Sequence, residues 1–190
     1  MSLKGNGIVG IRREDKNKWE RRAPLTPENV RNLVQSCRLR FLVQPSSRRI
    51  FSDQEYVDAG AEITEDLSSA SLILAVKEVT PSVLIPERTY LMFAHVIKAQ
   101  PENMHLLDMI LKKKVRLIDY ECITEGGVRG GQRLVAFGRF AGLAGAVDFL
   151  RGLGERLLAI GFQTPFLRLC NPAELASLPT LFESGALQHR

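Results

Sequence analysis

The chain has 190 residues, 45% apolar and 25% charged, with a formal net charge of +5, the balance of one compact globular domain. The cationic excess favours small anionic ligands, carboxylates or phosphates, while lysines and arginines scattered with few aromatics between them argue against nucleic acid. No run approaches the ~20 apolar residues of a membrane span, and Cys37, Cys122 and Cys170 form no CxxC or Cys/His pattern, which excludes a disulfide framework and a zinc site.

Such cysteine usage implies reduced thiols inside a cell. The first seven residues carry neither a signal peptide's apolar core nor an Arg- and Ser-rich presequence, so the cytoplasm is the expected compartment. Residues 8–11 read as a first short strand. The preceding Gly5-Asn6-Gly7-Ile8-Val9-Gly10 matches GxGxxG. It leads into a strand instead of from a strand into a helix, so no dinucleotide site is assigned to it. Thr26 is a helix N-cap, Pro27 suits the first helical position, and Glu28 favours the positive dipole end. That helix should bury Val30, Leu33 and Val34. Residues 38–43 are a second strand. Ser52 to Glu55 spell a capping box for a short helix that stops at Gly60. Residues 62–64 read as a brief edge strand and 66–70 as a turn of helix.

Three apolar runs then organise the chain. Residues 71–76 end at Lys77 and Glu78, residues 90–94 at His95, and residues 115–118 at Asp119, Tyr120 and Glu121. Short apolar runs bounded by polar residues read as buried strands. In an open parallel sheet, ligands bind just beyond the carboxyl ends of strands. If the three strands are parallel neighbours, Lys77, His95 and Asp119 or Glu121 converge on one crevice. An amine, an imidazole and a carboxylate there are the parts of an acid–base site. Between the second and third run, residues 103–113 read as a helix with Met104, Leu107, Ile110 and Leu111 toward the core and His105 toward solvent. Lys112, Lys113 and Lys114 suit its C-terminal dipole.

Residues 126–131 are Gly-rich and read as a flexible turn, with no strand–loop–helix order around them. Residues 133–137 then lead into a long helix over about 138–159. Phe140, Ala144, Val147, Leu150 and Leu157 recur in it at helical spacing. Gly138, Gly142 and Gly145 inside it suggest close approach of another backbone or a ligand. Asn171-Pro172 and Pro179 break the pattern, so residues 170–190 are expected to form a loose, divergent tail. The order of elements predicts an α/β fold: an open, mostly parallel, doubly wound, flavodoxin-like sheet with helices on both faces.

Trp19-Glu20-Arg21-Arg22-Ala23-Pro24-Leu25-Thr26-Pro27 and the stretch from Phe51 to Ala61 resemble the N-terminal domain shared by alanine dehydrogenase, transhydrogenase and the lysine-forming saccharopine dehydrogenases. Ala75-Val76-Lys77-Glu78, the stretches Phe93 to Gln100 and Leu117 to Glu121, and Arg133 to Gly142 narrow the resemblance. They resemble lysine–2-oxoglutarate reductase, the first half of bifunctional aminoadipic semialdehyde synthase, and the likeness runs over roughly residues 7–169. It implies an oxidoreductase of lysine degradation, a saccharopine dehydrogenase that condenses L-lysine with 2-oxoglutarate and reduces the imine with NADPH to saccharopine. It implies Lys77 and His95 as the catalytic pair and Arg22, Arg133 and Lys98 as substrate-binding cations. Glu78 and Glu121 are implied to tune the site, and no metal is implied.

The resemblance places the NADPH site in a nucleotide-binding domain that follows the Thr164-Pro165-Phe166 region in the family, so no cofactor site is expected within residues 1–190. Residues 1–169 are then the substrate-side half, nearly or wholly inactive by itself. The implied partners are lysine, 2-oxoglutarate and saccharopine, together with a second copy or a nucleotide-binding domain. Neither nucleic acid nor a membrane is expected, and mitochondria are an alternative compartment within the family. The competing reading is a non-catalytic module that binds carboxylates or pairs with a full-length subunit.

Overall fold

Period-two alternation in the apolar runs sets the architecture. β1 (Ile8–Ile11) sends Val9 and Ile11 to one face and Ile8 to the other. β2 (Arg40–Val43) splits Phe41 and Val43 from Leu42, and β4 (Leu72–Leu74) splits Leu72 and Leu74 from Ile73. β5 (Thr89–Met92) splits Leu91 from Tyr90 and Met92. A sheet with both faces apolar must be covered on both sides. The structure, a computed structural model, describes residues 5–183, with 178–183 as backbone only. It comprises two units, Met1–Val135 and Ala136–Arg190.

In the first unit, six parallel strands lie in the order β3-β2-β1-β4-β5-β6, where β3 is Glu62–Ile63 and β6 is Arg116–Asp119. Without the two-residue β3, the remaining five strands run in the flavodoxin-like order 2-1-3-4-5 that the sequence predicts. One face packs on α1 (Pro27–Cys37) and α2 (Asp53–Asp58) through Val30, Leu33, Val34 and Tyr56. The other packs on α3 (Met104–Lys112) through Leu106 and Ile110. Burying each such side chain contributes ~1.5–3 kcal/mol. Both predicted caps form: the Thr26 hydroxyl accepts from Asn29 N, and the Ser52 hydroxyl from Glu55 N. Strand order reverses between β1 and β4, which opens a crevice at their carboxyl ends.

Several expectations are corrected. Leu111 is exposed and Leu106 buried, because the i, i+4 pair Leu106 and Ile110 faces the sheet. Residues 66–70 form a turn, closed by Ala70 N to Leu67 O. Gly10, the last glycine of the GxGxxG pattern, is a packing residue inside β1: an added Cβ would meet Ala70 Cβ and Leu67 Cδ1 at 3.3 Å.

The second unit holds α4 (Gly138–Ala159), a 3-10 turn (Pro165–Arg168) and α5 (Pro172–Glu183) around Val147, Leu150, Phe166, Leu169 and Leu175. Here Phe140 and Ala144 are exposed, and nothing lies within 4 Å of a Cβ added at Gly138, Gly142 or Gly145. The close approach falls at Gly154 instead, whose Cβ would meet Phe166 Cβ at 2.9 Å. The expected loose tail is helical over Pro172–Glu183. Asn171 Oδ1 accepts from Ala173 N and Glu174 N, and the Glu174 carboxylate accepts from Asn171 N in return. Asn171-Pro172 thus starts a helix, with proline at its first position. Residues 184–190 of that tail lie outside the described residues. Among the described residues no helix is long and apolar enough to cross a membrane.

Candidate functional site

The crevice begins where β1 leaves the sheet. The last β1–β4 bond is Arg12 N to Leu74 O at 2.9 Å, while the β4–β5 ladder runs on through Phe93 N to Val76 O at 3.1 Å. Lys77 therefore leaves β4 beside Ala94 and His95. The pairing of Met92 with Asp119 puts Tyr120 and Glu121 level with the same exits. The carboxyl ends of β4, β5 and β6 thus deliver Lys77, His95 and Glu121 from neighbouring strands of one sheet.

His95 is fixed in an uncommon backbone state. Its φ is +52°, in the left-handed region that few non-glycine residues occupy. Its imidazole stacks on Phe93 with ring centroids 6.2 Å apart, Phe93 meets Tyr120 at 4.9 Å, and Asn103 Nδ2 donates to the His95 carbonyl. His95 Nδ1 lies 3.4 Å from Glu121 Oε2, and Arg133 Nη1 donates to Glu121 Oε1 at 2.9 Å. An antiparallel bridge between Thr124 and Arg133 brings the arginine back to this point. Gly126, Gly127 and Gly130, all at positive φ, make the reversal possible. The Gly-rich segment is therefore a defined turn that returns Arg133 to Glu121.

On the other flank, Glu20 accepts from Arg22 through Nε at 2.7 Å, Nη2 at 2.6 Å and the backbone N at 3.1 Å. These hydrogen bonds hold the Glu20 carboxyl below its usual range, with help from the nearby Lys77 ammonium. Glu78 Oε1 pairs with Lys16 Nζ at 2.9 Å. Burial pushes the Glu78 carboxyl up, but Lys16, its own backbone amide and His95 together bring it below the ordinary value. Burial dominates at Asp119 and raises it, with the Glu121 charge adding to the effect, against the Glu121 and Ala94 amides and His95.

Three buried carboxylate oxygens, Glu78 Oε2, Asp119 Oδ2 and Glu121 Oε2, accept no hydrogen bond. An unpaired buried acceptor costs ~1–3 kcal/mol. Three grouped near one imidazole suit a guest that brings donors, above all an ammonium group. Arg22 and Arg133 are both exposed, and each is held by an internal carboxylate, Glu20 and Glu121. Lys98 instead sits on an exposed turn three residues beyond His95. A groove of about 650 Å³ opens at the same sheet edge beyond β2 and β3, lined by Arg13, Ser46, Arg49, Asp53 and Glu65 among others. Its arginines pair internally, Arg13 with Glu65 and Arg49 with Asp53, as Arg22 and Arg133 do, and it differs in containing neither Lys77 nor His95.

Sequence reasoning misses Glu14 and Glu20. Both sit in or beside a charged run, residues 12–18, that reads as solvated loop, yet they are only 7% and 8% exposed. The strand-exit rule that picks out Lys77 also applies to Glu14, three residues past the end of β1.

All these residues fall within one matched segment. Residues 10–144 match the sequence family described as alanine dehydrogenase/PNT, N-terminal domain. The chain belongs to this family. It is 51% identical over 170 residues to alpha-aminoadipic semialdehyde synthase of Arabidopsis thaliana, covering 87% of this chain and 16% of that protein. It is 48% identical over 167 residues to the mitochondrial alpha-aminoadipic semialdehyde synthase of Bos taurus, covering 88% and 18%. Against saccharopine dehydrogenase (NAD(+), L-lysine-forming) of Yarrowia lipolytica, identity is 33% over 132 residues, covering 67% and 35%. The chain thus spans less than a fifth of the length of the two aminoadipic semialdehyde synthases. Among solved structures, an L-alanine dehydrogenase superposes with a TM-score of 0.53 at 24% identity, covering 62% of this chain and 33% of that one. Transhydrogenase from Sinorhizobium meliloti gives 0.52 at 20%, covering 62% and 36%. Both likenesses are of fold.

Proposed function

We propose that this chain supplies the substrate-binding and acid–base groups of an oxidoreductase of lysine degradation, a saccharopine dehydrogenase that joins L-lysine to 2-oxoglutarate. One observation carries the reading. An amine, an imidazole and carboxylates with unpaired buried oxygens leave adjoining parallel strands between two arginines, in a chain about half identical to aminoadipic semialdehyde synthases.

The proposed chemistry begins when the ε-amine of lysine attacks the ketone carbon of 2-oxoglutarate. A C–N bond forms, the former carbonyl oxygen gains a proton and the nitrogen loses one. The carbinolamine then loses water: its C–O bond breaks, the hydroxyl departs with a proton, and the nitrogen lone pair closes the C=N bond. Lys77 and His95 are assigned these proton transfers, a contribution of ~10²–10⁴-fold in typical enzymes. Arg22 and Arg133 are assigned the substrate carboxylates, with Lys98 as an outer cation. Glu121 and Glu78 are assigned to setting the charge around the imidazole.

Reduction of the imine needs a hydride, which a nicotinamide dinucleotide, NADPH in this reading, supplies when bound. The Gly5 to Gly10 stretch does not fit such a cofactor's phosphates, since it opens a strand and Gly10 is packed against Leu67 and Ala70. No step through it is assigned to this chain, and pairing with a nucleotide-binding domain is part of the proposal. Calorimetry tests the reading: 2-oxoglutarate and saccharopine bind at about millimolar Kd or tighter, and Arg22→Ala or Arg133→Ala abolishes the heat. Salt-sensitive binding to nucleic acid with no carboxylate binding would overturn it.

A further inference from the structure

Beyond the last β1–β4 hydrogen bond, β4 has lost its neighbour on one side, and the amides of Val76 and Lys77 need other acceptors. The Glu14 carboxylate supplies both. Its Oε1 accepts from Val76 N at 2.6 Å and its Oε2 from Lys77 N at 2.9 Å, across 62 and 63 residues of sequence. The side chain is almost wholly buried. On the opposite side of β4, Phe93 N donates to Val76 O. The peptide that carries Lys77 is thus clamped between a carboxylate and β5. Arg12, Arg22, Glu20 and Tyr120 are the charged and titratable groups that act on Glu14 or feel its charge. Through them Glu14 also ties the Glu20–Arg22 pair to the same exit.

We infer that Glu14 is a positioning residue: standing in for the missing strand, its carboxylate fixes the Val76–Lys77 peptide and so sets where and how readily the Lys77 amine reacts. A carboxylate suits this task because both oxygens accept and neither donates. Glutamine would turn an NH₂ against one of the two amides, and aspartate is one methylene too short to span both. The inference rests on the assignment of Lys77 to proton transfer, but its test uses no substrate, so failure here and failure of calorimetry are separate results.

Trace acetylation with isotope-labelled acetic anhydride, read by peptide mass spectrometry across pH, reports the reactivity of each lysine amine. Lys98 on its exposed turn and Lys113, whose Nζ donates to Pro81, Ser82 and Leu84 carbonyls, serve as internal references. In Glu14→Gln the Lys77 profile changes by roughly tenfold or more in rate at neutral pH, the low end of the effect of losing one hydrogen bond to a charged group, while Lys98 and Lys113 keep their profiles. A folded Glu14→Gln protein with an unchanged Lys77 profile overturns the inference, whatever its melting temperature. Hydrogen exchange on the unaltered chain decides the matter if that variant does not fold. The Val76 and Lys77 amides then exchange about 100-fold or more slowly than the exposed Thr80 amide, and equal exchange overturns the inference.

Discussion

Asp119→Asn should stabilise the chain at neutral pH. Asp119 is 6% exposed. Its Oδ1 accepts from Glu121 N at 3.0 Å, and its Oδ2 has no hydrogen-bond partner. Asparagine keeps the first bond through its carbonyl oxygen and removes a buried charge beside Glu121, at the cost of the Ala94 amide's attraction to the carboxylate. Because burial and the Glu121 charge outweigh that attraction, on the order of 1 kcal/mol should be recovered at neutral pH. The pH dependence follows from burial, which raises this carboxyl above its ordinary 3.8. A carboxyl raised in the folded state contributes stability below its unfolded value and loses that contribution as pH rises through the folded value. Asparagine undergoes no such loss. The advantage of Asn over Asp should therefore be small below pH 3.8, grow across the window just above it, and level off by neutral pH. Urea unfolding followed by circular dichroism at a series of pH values measures this, and the neutral-pH gain corresponds to a melting increase of about 2–4 °C. If the variant were less stable than the parent by the same amount at every pH, Asp119 would be an ordinary structural carboxylate whose buried charge costs nothing.

Other consequences follow from the same geometry. Burial pushes the Tyr56 and Tyr120 phenols up to about 12 and raises Tyr90 as well. Phenolate absorbance should stay flat as pH passes 10.0, and any stability tied to these phenols is lost only as pH climbs through the raised values. Gly154→Ala should lower the melting temperature of the second unit, because the new methyl meets Phe166 Cβ at 2.9 Å and Leu167 N at 3.0 Å, an overpacking cost of ~1–3 kcal/mol. Gly142→Ala, with open space around it, should instead raise stability by ~0.5–1 kcal/mol. Thr26→Ala removes the α1 cap and should cost about 1 kcal/mol in urea unfolding.

Much of the sheet is legible in the sequence because its strands are apolar on alternate faces and end abruptly in polar residues. That abrupt change is also why Lys77, His95 and one of Asp119 and Glu121 can be placed at strand ends without coordinates. Glu14 escapes because its neighbours are charged, and a carboxylate that replaces a β-strand partner looks no different in sequence from one in solvent. The positive φ of His95 and the antiparallel return of Arg133 depend on the local backbone, which composition does not report. Asn171-Pro172 reads as a break when only the ring of proline is considered. With Asn171 as cap and Glu174 as its reciprocal partner, the same residues begin α5. In α4, helical spacing correctly marks a helix, but spacing alone does not distinguish a packed stripe from an exposed one such as that of Phe140 and Phe149.

The proposed function requires that the exits of β4, β5 and β6 together take up the product of lysine and 2-oxoglutarate. Heteronuclear NMR of the chain titrated with saccharopine tests it most directly. The imidazole nitrogens of His95, the Lys77 ammonium and the Arg133 guanidinium should shift together along a single saturable curve, while Arg49 and Asp53 in the neighbouring groove stay still. Shifts confined to that groove, or no shift at Lys77 and His95 at saturating saccharopine, would contradict it.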